Sequence, residues 1–370
     1  MAYIKKRGKK WQAQVSWYDL NNERQYKTKS GFLTKRQAQE WANKMEVAKD
    51  EQHISNRDPI FAEYFKDWYT TYKIPGKSKT TVVRYNTIYK KLKGSFGQAK
   101  LSKITRHNYQ TFITDYGKTH AKDTVYKTNG SIRSCVADAI ADGIIHKNFT
   151  QRINLTWNSE RTRKIDYLSY AELQKLKDAL LDNIKPWYIS RHMLLTIMYT
   201  GMRPGEIAVL TWDDIDFKNE TINVNKSYNH DLGRVEDYED DKINKATKNA
   251  NSVRIIKVDK KFLDIIQDLK QNNHHRIFID RNDTIPTSNA VNKTLRKALK
   301  KCDIDKPTFH FHSLRHSHVA LLLFKGVPLY AISKRLGHAS MSTTAKKYAY
   351  MLDELKQQSD TQITKILDNL

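Results

Sequence analysis

Arg203 stands in the segment Thr200-Gly201-Met202-Arg203-Pro204-Gly205-Glu206, where Gly201 suits the end of one helix and Pro204 the first turn of the next. Its guanidinium is therefore expected at a helix start. Further along, His312-Ser313-Leu314-Arg315 spaces an imidazole and a second guanidinium three residues apart, which puts both on one helix face where they can share one phosphate. Leu336-Gly337-His338 follows, and ten residues beyond His338 comes Tyr348. A His-x-x-Arg pair alone is commonly a surface pair, and a tyrosine alone commonly packs its ring. Two arginines, two histidines and a tyrosine in fixed order require one explanation.

The order of these motifs resembles that of the tyrosine recombinases. That family carries an Arg in a Thr-Gly-x-Arg-x-x-Glu context, then His-x-x-Arg, then Leu-Gly-His, then a nucleophilic Tyr about ten positions on. The resemblance covers roughly residues 165 to 355. It implies a lysine on a β-hairpin between the first arginine and His-x-x-Arg, for which Lys248, four residues before Ser252 in a Ser-x-Arg-x-Ile pattern, is chosen over the nearby Lys242 and Lys245; a Thr usually follows that lysine, and here Asn249 does. Glu206 matches an acidic position that braces the site.

The implied chemistry is transfer of a phosphodiester to Tyr348 as a 3′-phosphotyrosine, later reversed by the hydroxyl of a partner strand. Charge develops on the nonbridging oxygens, where the permanent, planar charge of Arg203 and Arg315 acts, with His338 as a further donor. A phenol titrates near pH 10, so Tyr348 needs a proton acceptor, for which His312 is the candidate, while Lys248 protonates the departing 5′ oxygen. The ester conserves the bond energy, so the resemblance implies no cofactor, and the candidate site holds no acidic cluster for metal ions. Tyr350 is a second tyrosine near the site, but the spacing from His338 favours Tyr348. His310, His316, His318, His274 and His275 are expected to pack or make surface hydrogen bonds.

Three modules are expected to carry these residues, in a mainly α multidomain chain. Residues 1–52 read as a small β-sheet plus helix: Trp11, Ala13, Val15 and Trp17 alternate with polar residues, Asn21-Asn22 suits a turn, Arg24 to Ser30 is a second strand, and Thr34 precedes a helix from Lys35 to Val47. After a linker at 53–58, residues 59–157 read as an α-helical bundle, with helices Ile60 to Tyr72, Lys79 to Leu92, Thr105 to Tyr116 and Lys122 to Asp142. A second linker, 158–166, leads to an α+β module at 167–370. There Ser169 and Glu172 are spaced as a capping box, Tyr188 to Thr200 is a buried helix, and Thr221 to Val224 and Val253 to Val258 are strands. By resemblance these are the arm-binding, core-binding and catalytic domains of integrases. The tail from Leu352 has an apolar helix face for its own domain or a neighbouring protomer.

The partner is read from charge. The chain carries 65 Lys plus Arg against 40 Asp plus Glu, a net charge of +25, a field that draws polyanions before any specific contact forms. Residues 1–50 hold 12 Lys plus Arg against 5 Asp plus Glu, and residues 59–155 hold 17 against 6. The longest apolar run, Val319 to Phe324, has six residues, far short of the ~20 of a membrane span. Met1 to Lys10 lacks the apolar segment of a secretory signal, and Cys135 and Cys302 lack zinc-type spacing, which fits a reducing bacterial cytoplasm and a nucleoid-associated protein. The resemblance implies double-stranded DNA with core and arm sites, a homotetramer on DNA, a host DNA-bending protein and an excisionase. A Xer-like dimer-resolving recombinase and a type IB topoisomerase share the catalytic set but lack the N-terminal module. A catalytically silent DNA-binding regulator would not need the intact set.

Overall fold

The computed structural model describes residues 2–18, 23–50, 58–162, 165–228, 244–246, 252–342, 344–345, 347–348 and 367–368. The chain divides into two compact units, Met1–Arg163 and Lys164–Leu370. In the first, strands β1 (Tyr3–Arg7), β2 (Lys10–Tyr18) and β3 (Arg24–Phe32) form an antiparallel sheet in that order, followed by helix α1 (Lys35–Asp50). The alternation in β2 has its expected result: Ala13 and Val15 are fully buried with Ala38 and Ala42 of α1, and Trp11, Trp41 and Met45 close the edge. The Thr34 hydroxyl accepts from the Gln37 backbone N–H at 3.2 Å, capping α1. Strand β1 was not legible beforehand, because Tyr-Ile-Lys-Lys-Arg offers only Ile4 to the core. Its register sets Tyr3 opposite Gln14 and Lys5 opposite Gln12, so the face away from α1 carries Tyr3, Lys5, Arg7, Gln12, Gln14, Tyr26 and Thr28.

Helices α2 (Phe61–Tyr72), α3 (Lys79–Phe96), α4 (Arg106–Lys118) and α5 (Lys122–Ala141) follow. Phe61, Phe65, Leu92, Tyr109, Ile113, Val125 and Ile132 form their core. Its polar atoms are satisfied internally: Trp68 Nε1 donates to Asp138 at 2.6 Å, and the Tyr109 hydroxyl to Asn129 at 2.9 Å. The helix expected to end at Leu92 continues through Gly94. Helix α3 runs on to Phe96, whose ring packs 5.2 Å from Phe61 and 5.3 Å from Phe112, burial that outweighs the ~1 kcal/mol cost of a helical glycine.

The second unit begins with α6 (Tyr170–Leu181), started by the expected capping box of Ser169 and Glu172, and α7 (Ile189–Thr200), buried on most sides. The short α8 (Pro204–Ile207) precedes strands β4 (Ile215–Asp216), β5 (Thr221–Val224), β6 (Lys226–Tyr228), β7 (Asn244–Ala246) and β8 (Arg254–Lys257). Two of these strands were expected, and they pair antiparallel as β5 and β8 in a sheet of order β4-β5-β8. The pair β6–β7 lacks apolar alternation and gave no signal. Helices α9 (Lys260–Gln267), α10 (Ser288–Lys301), α11 (Ser313–Phe324) and α12 (Leu329–Leu336) complete the unit, with α10 and α11 packed against α7. Among the described residues no helix is long and apolar enough to cross a membrane.

Candidate active site

Three consecutive backbone carbonyls at the end of α12 organise the site. The Arg335 carbonyl accepts from Arg254 Nε at 2.6 Å, that of Leu336 from Arg315 Nη2 at 2.8 Å, and that of Gly337 from Arg203 Nη2 at 3.2 Å. A helix leaves its last carbonyls without internal donors and carries partial negative charge there, so its C-terminus suits cations. Gly337 ends α12 in the left-handed region at φ +66°, turning the chain so that His338 comes back toward Arg315. Arg315 also donates from Nη1 to the Gly201 carbonyl at 2.6 Å. Gly201 itself has φ +67°, and a Cβ there would lie 2.6 Å from the His318 ring, so only glycine fits between α7 and α11.

Arg203 is the N-cap of α8 with Pro204 at the first helical position, as the sequence predicts. Glu206, 2 % exposed, binds it twice: the Arg203 backbone N–H donates to Oε2 at 2.8 Å and Nη1 to Oε1 at 2.7 Å. Arg254 donates to the same two oxygens, at 3.2 and 2.9 Å. Burial pushes Glu206 up, but the bonds and charges of Arg254 and Arg203 outweigh it and hold the carboxyl below its usual range. Arg315, wholly buried and with no carboxylate bonded to it among the described residues, is pulled down to about 9 by burial and then by the charge of Arg203, which leaves it charged at neutral pH.

His338 Nε2 accepts from Arg315 Nη2 at 3.1 Å, so its Nδ1 carries the proton and donates to the Thr344 hydroxyl at 2.6 Å. Burial, then Arg315 and Arg203, lower His338 to about 4. His312 is lowered to about 4 by burial and then Arg315, and is neutral at pH 7. Tyr348 is fully buried among Val319, Ala320, Leu323, Ile332 and Leu336. Its hydroxyl lies 2.8 Å from His316 Nδ1. Burial pushes the phenol up to about 12 against the lowering effect of Arg315.

The fold therefore brings Arg203, Arg315 and His338 together on one cradle. His312 stands at the N-cap position of α11 without a side-chain capping bond and meets His316 edge-on at 5.3 Å; among the described residues no hydrogen bond joins it to Tyr348. His316, expected to pack or to make a surface hydrogen bond, instead bonds the buried Tyr348 hydroxyl. His318 packs as expected, with Nδ1 on the Met198 carbonyl and Nε2 accepting from Arg335. Lys248 and Tyr350 lie outside the described residues. Arg254 was missed, although its signal was present: it alternates with exposed Ile255 and stands on the same strand face as buried Ile256. No group of three His, Cys, Asp or Glu side chains able to hold a metal ion occurs among the described residues.

Residues 166–354, half of the chain, match the phage integrase family; residues 3–49 match an arm DNA-binding domain and residues 60–116 the N-terminal SAM-like domain of phage integrases. The integrase of Staphylococcus phage L54a is 24 % identical over 321 residues, covering 80 % of this chain and 89 % of the relative. Among solved structures, the Tn1549 transposon integrase in complex with a circular intermediate DNA shares the fold with a TM-score of 0.65 at 17 % identity, over 78 % of this chain and 95 % of that one. A lambda integrase tetramer bound to a Holliday junction matches with a TM-score of 0.56 at 16 % identity, over 91 % and 95 %. The chain belongs to the phage integrase family, the tyrosine recombinases, enzymes that cut and rejoin DNA through a tyrosine intermediate.

Proposed function

We propose that this chain integrates and excises a phage or other mobile element, with Tyr348 as the nucleophile. The observation that carries the reading is the convergence of Arg203, Arg315 and His338 on the end of α12, with Tyr348 following within the same segment. A phosphate placed against Arg203, which is about one-third exposed, meets fixed donors that need no reorganisation as charge develops. The Tyr348 oxygen bonds to phosphorus as the bond to the 5′ oxygen breaks. The phenol's proton passes to His312 once DNA binding has drawn Tyr348 off His316, and Lys248 supplies the proton to the leaving oxygen. Attack by the 5′ hydroxyl of a partner strand reverses the step on a new duplex.

The chain acts as a homotetramer on two duplexes. The first unit contacts attachment-site DNA: the sheet face with Tyr3, Lys5, Arg7 and Gln14 serves arm sites, and the helical bundle serves core sites. A host DNA-bending protein and an excisionase set the direction, in a bacterial cytoplasm, on nucleoid DNA. The match of residues 3–49 to an arm-binding domain favours an integrase over a dimer-resolving recombinase.

Trapping on a nicked suicide substrate with candidate attachment sequence tests the reading. A covalent adduct on a denaturing gel that survives Tyr350→Phe and disappears in Tyr348→Phe is expected; an adduct that survives Tyr348→Phe refutes the assignment, and tight binding without any adduct favours a silent regulator.

A further inference from the structure

We propose that Arg254 is a positioning residue for strand cleavage, acting through Glu206 to hold Arg203 in place. The inference rests on reading Arg203 as a phosphate-gripping side chain. Strand register puts Arg254 opposite Val224 and Ile256 opposite Ile222, so the arginine stands on the strand face whose apolar members are buried. Its side chain is 7 % exposed. Burying a charge is unfavourable unless it is paired, and a well-packed apolar residue commonly serves stability as well or better. An arginine here therefore calls for a purpose other than filling space.

Its bonds supply that purpose. Nη1 and Nη2 reach Oε1 and Oε2 of Glu206, Nη1 also reaches the Ser252 carbonyl at 2.9 Å, and Nε reaches the Arg335 carbonyl at 2.6 Å. Each Glu206 oxygen is thus shared between Arg254 and Arg203. Sharing has two effects. The carboxylate cannot rotate, which fixes the direction of the Arg203 fork. It also divides its charge between two cations, so Arg203 keeps positive charge for a phosphate instead of spending it in a closed pair. Through the Arg335 carbonyl, the same side chain ties β8 to the carbonyl run that anchors Arg315 and Arg203.

The test is single-turnover adduct formation on a suicide substrate at saturating full-length protein, with DNA affinity and thermal melting measured for every variant. Arg254→Lys and Arg254→Met are expected to bind DNA within about threefold of wild type and to form adduct about 10- to 100-fold more slowly, the scale of a misplaced reacting group. With Glu206→Gln already present, adding either substitution should slow cleavage little further, because the route through the carboxylate is already cut. A merely structural role predicts equal losses in both backgrounds, following the melting temperature, and that result overturns the inference. So does an unchanged rate, or a loss confined to DNA affinity. Where Arg254→Met does not fold, Arg254→Lys retains charge and stem and carries the same comparison. Adduct that survives Tyr348→Phe strikes the underlying reading; adduct lost there but unaffected by Arg254→Lys strikes this inference alone.

Discussion

The Tyr348 hydroxyl is hydrogen-bonded to His316 Nδ1 at 2.8 Å, and both side chains are buried. His316 is lowered to about 3, first by burial and then by Lys347, while the phenol is raised to about 12. Proton transfer within this pair is unfavourable on both sides, since burial makes the imidazole a weaker base and the phenol a weaker acid than usual. The contact stores a protonated tyrosine and does not activate it. His316→Leu leaves the hydroxyl without its partner and should lower stability by about 1–3 kcal/mol, whereas His316→Asn, which retains a polar partner, should lose less. Thermal melts of the two variants decide this; equal melting temperatures would contradict it.

Acid should loosen the second unit before it reaches the carboxylates. His312, His316, His318 and His338 are all depressed, to between about 3 and about 4, by burial first and neighbouring cations second. Unfolded histidine titrates near 6.5, so from pH 6.5 downward the unfolded chain binds more protons than the folded one. Stability is therefore full above pH 6.5 and falls as the pH drops toward 4. At pH 5, His316 and His318 each account for about 2 kcal/mol. Urea melts at pH 7.5 and pH 5 should show the loss, reduced in His318→Gln; melts independent of pH would exclude the mechanism.

Gly201→Ala should be costly in a way that Gly326→Ala is not. Both glycines have positive φ, +67° and +77°, but only the Cβ at 201 meets other atoms, in His318 and Leu336. The left-handed backbone contributes about 1 kcal/mol at either site, and overlap adds about 1–3 kcal/mol at 201. A smaller shift in melting temperature for Gly201→Ala than for Gly326→Ala would count against the packing described.

Lys5→Ala and Arg7→Ala should each weaken binding to an arm-site duplex and reduce the slope of log affinity against log salt by about one. Adduct formation on a core substrate without arm DNA should not change. Filter binding at several salt concentrations separates this from a folding defect, which would lower affinity without changing the slope.

The parts of the site that were legible beforehand are those whose signals are local. Gly201 and Pro204 bracket Arg203, Gly337 precedes His338, and the three-residue spacing of His312 and Arg315 lies at one helix start, so each geometry was written within a few residues. The roles of Arg254 and His316 depend on distant partners. Arg254 turns inward because β8 pairs with β5, some thirty residues earlier, and meets a glutamate 48 positions away. His316 reaches a tyrosine 32 positions later only because the chain folds back over α11. Strands β1, β6 and β7 were missed for a related reason: polar strands are held by pairing with neighbours, which leaves no period in their own residues.

The three carbonyls at the end of α12 anchor arginines without neutralising them. Around this cradle the cations Arg203, Arg254, Arg315 and Lys347 outnumber the one carboxylate, Glu206, while the histidines are neutral. A phosphodiester carries one negative charge and a pentacoordinate phosphorane approaches two. A site with this surplus of fixed positive charge attracts the substrate phosphate and holds the species halfway through the reaction more strongly still, because the attraction grows as the bond to tyrosine forms.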